Sequence, residues 1–270
     1  MAYDGTLVFD TEMNAQGFQN GADKLNSIVK GLGVFKLLEK GFSLVTASID
    51  KAMGRIDTME QFSRVMTTVT GDVSATNDAL EETTDIVTGT AYGLDYAARA
   101  VQNFTSRGME ISKSTETVRA WGDAVAFYGD GSNASFASVT DALSKMQTKG
   151  TVTMEHMEML LNAGIPAIEM YADAVGMTAA DVTDAMSSGE LSATDFINTM
   201  NLAMTTGTSH FPSLSGAAKE AGASWGATFD NMGAAVTRGV QSIITSIDET
   251  QEALGRPTMR DAIKTFGSAF

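Results

Sequence analysis

The chain has 270 residues, 43% hydrophobic and 19% charged, with a mean hydropathy of -0.01, no cysteine and a formal net charge of -15. That is enough for one or two domains with a real core, and it excludes disulfides and thiolate metal sites. No apolar run approaches the roughly 18 residues that a membrane span needs. The opening MAYDGTLVFDTEM lacks the basic start and apolar run of a secretory signal, so a soluble protein is expected.

The charge is uneven. Residues 71–211 carry 19 acids against 6 bases, while the segments on either side come within one charge of balance. Such a block repels phosphate and cannot supply the counterion release that drives nucleic-acid binding. It reads first as a solvated, solubilising surface and second as a docking face for a basic or neutral protein.

In chain order, residues 5–13 alternate apolar and polar through Leu7 and Phe9, which predicts at most one short strand. From Asn20 to about Met66 the pattern turns helical, with Leu25, Ile28, Leu32, Phe35, Leu38, Phe42, Val45 and Ile49 spaced by threes and fours. Gly31, Gly33 and Gly41 each weaken a helix by roughly 1 kcal/mol relative to Ala, so breaks are expected there. Between Asp130 and Ser135 the sequence DGSNAS starts like a calcium loop. Ser135 stands where that loop requires Gly and Asp141 where it wants Glu, so the stretch predicts a polar turn between helices.

Residues 72–208 read as a succession of short helices, three of which begin alike. VTMEHM, MTAADV and LSATDF each place an apolar residue before a Thr or Ser and another apolar residue four after it. That is a hydrophobic staple around an N-cap hydroxyl, pairing Val152 with Met157, Met177 with Val182 and Leu191 with Phe196. Thr178 and Ser192 are the caps of the second and third. Glu155, Asp181 and Asp195 sit in the first turns, where the helix dipole favours them. Gly164, Gly176 and Gly189 supply the stops. Between the first two helices, Gly164-Ile165-Pro166 forms a joint: the glycine can turn left-handed, the proline pushes Ile165 out of the α region, and Pro166 suits a first turn.

Beyond Pro212 one apolar stripe runs through Leu214, Ala218, Ala221, Trp225, Phe229, Met232, Val236, Val240, Ile243 and Ile247. Its mean spacing matches an eleven-residue repeat, which predicts a nearly straight helix. Its glycines also suit close approach of another helix, and folding back onto the preceding helices is an equal alternative.

The search for chemistry returns no catalytic constellation. His156 lacks the second histidine of a zinc helix, Leu160 standing in its place, and His210 lies in a linker; both are expected at the surface. GLGVFK from Gly31 lacks the last glycine of a dinucleotide loop, and no GxSxG or Ser-His-Asp arrangement is present. Met146, Met154, Met157 and Met159 read as core filler, with an adaptable binding surface as the second reading.

The run from Ser144 to Met200, with Gly164-Ile165-Pro166, Gly176, Thr178, and then SSGELSATDFI from Ser187 to Ile197 containing Gly189 and Ser192, resembles the N-terminal domain of phage tail tape measure proteins. The ordered combination carries the resemblance, which extends through MEQFSRVMTTVTGD, YGLDYAARAVQNF and SWGATFDNMGAAVTRGV, and to the opening residues. It implies a largely helical structural protein of the virion that lies in the tail-tube lumen, sets tube length, and meets its partners in the host cytoplasm during assembly. Those partners would be the tail-tube protein, a tail-assembly chaperone and tail tip or baseplate proteins, with no cofactor and no enzymatic activity. Self-association through the C-terminal helix is a further option. Family members are typically several times longer, so the chain is expected to be a portion of a longer protein.

Together these readings predict an all-α fold: a compact module of short capped helices flanked by longer amphipathic helices. The expected divisions are an arm over 1–55, a compact helical domain over 56–208 and an extended helical region over 212–270. A helical protein-binding adaptor unrelated to tails is the alternative function, and an enzyme such as a cell-wall hydrolase fragment is disfavoured by the missing constellations.

Overall fold

The computed structural model describes residues 37–223, with side chains from residue 53, together with residues 238, 241, 242, 244–246, 248, 249, 252, 253 and 258. The described residues are all-α apart from one isolated bridge. The chain divides into two compact units, 1–48 and 49–270. The expected strand at 5–13, and Gly31 and Gly33, lie outside the described residues.

Helix α1 is Leu37–Thr70. It continues through Gly41, where the sequence predicts a break. A glycine inside a helix costs only about 1 kcal/mol, which the surrounding turns offset. The expected division at residue 55 also falls inside this helix. Within the second unit α1 buries Phe62 and Met66.

Nine shorter helices follow among the described residues: α2 Val73–Val87, α3 Leu94–Ser106, α4 Ile111–Tyr128, α5 Asn133–Lys149, α6 Met154–Asn162, α7 Ala167–Val175, α8 Ala179–Ser188, α9 Ala193–Thr206 and α10 Ala217–Gly222. Helix α4 is the axis of the unit. Its buried residues include runs such as Thr117-Val118 and Ala120 to Val125, too continuous for one face. A helix covered on most sides is a central one, and α4 touches α2, α3, α5, α9 and α10.

Helices α3 and α5 run side by side in the same direction, as their end contacts show. At one end Gly93 N–H donates to Asn133 Oδ1 at 2.8 Å. At the other, Gln147 Nε2 donates to the carbonyls of Phe104 and Arg107, both at 3.2 Å. Each contact ties a side chain of α5 to backbone at an end of α3. Against them Tyr92 stacks on Phe136, ring centroids 4.6 Å apart, and its hydroxyl donates to Gly122 O at 2.8 Å. Burial, then the carboxylates of Asp123 and Asp130, push its phenol pKa well up, so Tyr92 stays a neutral donor.

The DGSNAS stretch is a polar turn. Gly131 is left-handed at φ 64°, Ser132 N–H donates to Asp130 Oδ1 at 2.9 Å, and the Ser132 hydroxyl caps α5 by accepting from Ser135 N–H at 3.1 Å. Its carboxylate is engaged in the turn itself, and those bonds hold its pKa below the usual range. No helix among the described residues is long and apolar enough to cross a membrane.

Candidate functional site

The capped helices α6 to α9 are organised by one short antiparallel bridge between Thr151 and Ser192. Val152 N–H donates to Leu191 O and Ala193 N–H donates to Gly150 O, both at 3.0 Å. The start of α6 is thereby laid beside the start of α9. Val152, Met157, Leu191 and Phe196, the expected staple residues there, are all buried. The second staple is different: Val182 is buried but Met177 is 43% exposed. Helix α8 packs on α6 and α7, and that methionine lies in the turn before it.

The caps are specific. At α8, Asp181 N–H donates to Thr178 Oγ1 at 3.2 Å and Thr178 N–H donates to Asp181 Oδ2 at 3.0 Å, a reciprocal capping box. The Thr178 hydroxyl also donates to that carboxylate at 2.7 Å, and these bonds hold its pKa below the usual range. At α9, Ser192 Oγ accepts from Asp195 N–H at 3.3 Å. At α6, the hydroxyl of the N-cap Thr153 makes no bond to the helix backbone; it pairs instead with His156 Nδ1 at 3.0 Å.

His156 is therefore a correction. The sequence places it at the surface, yet it is buried, 5% exposed. Burial, then the neighbouring charge of Lys149, lowers its imidazole pKa. A buried neutral histidine with a hydroxyl partner satisfies its ring without a charge. His210 does lie at the surface, its side chain 79% exposed. Its backbone N–H donates to Asp173 Oδ2 at 3.0 Å, its ring faces Asp173 Oδ1, and the Thr208 hydroxyl donates to the same carboxylate. These partners hold the Asp173 carboxyl down at about 2 and tie the chain after α9 to α7.

At the Gly-Ile-Pro joint, Gly164 has φ 84° and Ile165 is fully buried, its N–H donating to Leu160 O at 3.0 Å. Pro166 occupies the N-cap of α7, one position ahead of the first turn where the sequence reading puts it. Gly164 meets the end of the central helix: a Cβ there would lie 2.5 Å from Tyr128 O. Gly176 and Gly189 end α7 and α8 at φ 72° and 75°. No neighbour comes within 4 Å of a Cβ at either of those two.

Two long-range polar arrangements have no local signal in the sequence. Trp121 Nε1 donates to Asn201 Oδ1 at 2.9 Å, and Asn201 Nδ2 donates to Thr117 Oγ1 at 2.8 Å, all three buried. Phe196 sits between Trp121 and Tyr171, at centroid separations of 6.3 and 5.2 Å. The second arrangement docks α10. Asp123 on α4 accepts from the N–H groups of Gly216 and Ala218 at 3.0 and 2.9 Å. Lys219 reaches Asp85, which also pairs with Arg119.

The stripe expected beyond Pro212 is corrected at its start. Leu214 is buried but precedes the helix, Ala221 is exposed, and Gly222 is buried against the corner between α2 and α3. A Cβ on Gly222 would lie 2.0 Å from Gly89 O, so this segment folds onto the unit in contact with backbone. From residue 224 the stripe falls largely outside the described residues.

Among the described residues, no group of three or more acids and histidines is placed to hold a metal. The hydroxyls of Thr178 and Ser192 and the carboxylate of Asp181 are engaged with backbone. The fold is that of an all-helical module in which polar side chains fix several helix ends. A family model described as tape measure protein matches residues 50–245, starting one residue inside the second compact unit. The chain belongs to the tape measure protein family, structural proteins of the bacteriophage tail. No curated protein and no solved structure matches it.

Proposed function

We propose that this chain is the N-terminal portion of a tape measure protein that sets the length of a phage tail tube and supports its assembly from within the lumen. The observation that carries the reading is the family match over residues 50–245. The partners are a tail-tube protein, a tail-assembly chaperone and tip or baseplate proteins, met first in the host cytoplasm. The acidic surface of residues 71–211 suits docking to neutral or basic protein surfaces.

The test is made in the phage. Insertion of 22 residues after Lys264, two eleven-residue repeats of the sequence pattern, keeps the apolar stripe in phase and leaves the packed residues up to 249 intact. For a helical ruler, tails imaged by electron microscopy should lengthen by about 33 Å, at 1.5 Å per residue. Removal of Val152–Met204 destroys a packed unit instead and should give absent or malformed tails. Unchanged tail length after the insertion, or orderly shortening after the deletion, defeats the proposal.

A further inference from the structure

A groove of about 430 Å³ lies where α1, α2 and the helical residues beyond 238 meet, all within the second unit. Arg55 comes from α1, Thr84 from α2, and Arg238, Ser242, Thr245 and Glu249 from the later segment. That segment meets α1 through Gln241 Nε2, which donates to Met59 Sδ at 3.0 Å, and its Ile244 is buried. The positions 238, 242, 245 and 249 recur by threes and fours, which puts these polar side chains on one helical face.

The chain carries 33 acids against 18 Lys and Arg, and four of the described bases pair with them. Lys113 pairs with Glu116, Arg119 with Glu82 and Asp85, Lys145 with Asp141, and Lys219 with Asp85. Among the described residues, Arg55 and Arg238 share one groove and neither is in an ion pair. Glu249 lines the same groove but forms no ion pair with them either. A guanidinium cannot shed its proton to relieve the repulsion. Burial, and next the charge of Arg238, both disfavour the Arg55 cation, which is the strain that a bound anion would remove.

We propose that the Arg55–Arg238 groove is a binding site for an oxyanion, a phosphate or carboxylate group held between the two guanidiniums. Planar guanidinium forks match both oxyanions, and the hydroxyls of Ser242 and Thr245 supply further donors along the wall. A free phosphate and a carboxylate presented by another protein share this chemistry. The inference is independent of the tape measure reading, since it concerns only charges within the second unit.

The test uses the whole 270-residue chain, with sodium phosphate and sodium succinate added in separate arms against sodium chloride at equal ionic strength. Binding raises the thermal midpoint with ligand concentration, as expected for a ligand taken up only by the folded state. The stronger arm identifies which oxyanion the groove prefers. R55Q and R238Q should each weaken binding by about tenfold or more, while R64Q on the exposed side of α1 should bind like the parent. In chloride alone R55Q should melt no lower than the parent, because it removes a repulsion. The proposal is overturned if neither oxyanion stabilises beyond chloride up to roughly 20 mM, where a 1 mM site would be nearly full. It is equally overturned if both variants bind like the parent, or if R55Q destabilises by the same amount with and without oxyanion.

Discussion

The Asp123 carboxylate accepts the backbone N–H of Ala218 at 2.9 Å across 95 residues of sequence. With the matching bond from Gly216, one buried acid of the central helix caps a helix of only six residues. A helix that short has no independent stability in water, so its existence depends on this docking. Replacing Asp123 with Ala should cost about 1–2 kcal/mol, in the range of a lost cap. Trypsin should then cut at Lys219 well before the rest of the unit, whereas the parent chain should be cut there only as the whole unit unfolds.

The left-handed glycines should separate by what surrounds them. G176A meets open space and should cost about 1 kcal/mol, the penalty of a left-handed alanine. G164A incurs the same penalty and also drives its Cβ toward Tyr128 O, a backbone atom that cannot rotate away. Chemical denaturation should therefore place G164A clearly below G176A. Equal midpoints would show that the joint does not bear on the central helix.

For the caps, T178A and S192A should each lower stability by about 1 kcal/mol. T178A should be the costlier, because it breaks a reciprocal pair with Asp181 while Ser192 accepts a single longer bond. Urea midpoints of the two variants, measured side by side, decide the order.

His156 should make the unit acid-sensitive in a particular window. Its pKa is lowered in the folded chain, so the neutral ring contributes fully above its unfolded value of about 6.5. That contribution is lost as pH falls from there through the lower folded value. The denaturation midpoint should drop between pH 7.5 and 5.5, and His156→Asn, which keeps an acceptor for Thr153, should flatten that drop. A parent profile unchanged over this range would contradict the assignment.

Asn201→Ala should strand the indole N–H of Trp121, a buried donor, at about 1–3 kcal/mol. Thr117 should suffer little, since its hydroxyl also donates to Lys113 O at 2.7 Å. Adding Trp121→Phe to N201A should then cost less than it does in the parent chain, and a double-mutant cycle measures the difference.

What the sequence made legible was local. The helical class, the polar turn at Asp130 to Ser135, the hydroxyls at Thr178 and Ser192 and the left-handed glycines all depend on residues within one turn of each other. What it hid was long-range or a matter of degree. Nothing near Asp123 announces that its partners are Gly216 and Ala218, and Asn201 looks like any polar residue late in a helix until Trp121 is beside it. His156 read as a surface histidine once the zinc-helix pattern failed at Leu160, yet the ring is buried and paired with Thr153. Gly41 shows the limit of a propensity argument: a cost of about 1 kcal/mol is too small to end a long helix.

The bridge that joins Thr151 to Ser192 also turns residues 151–192 into a handle. The chain departs after Gly150 and returns at Ala193, and the two ends stand one hydrogen bond apart. Three helices lie inside that closed circuit, yet its mouth has the width of a single strand pair. Lengthening or shortening the handle at the exposed turn between α7 and α8 therefore leaves the spacing of α5 and α9 across the central helix unchanged. The fold can vary in size there while the axis that supports it keeps its dimensions.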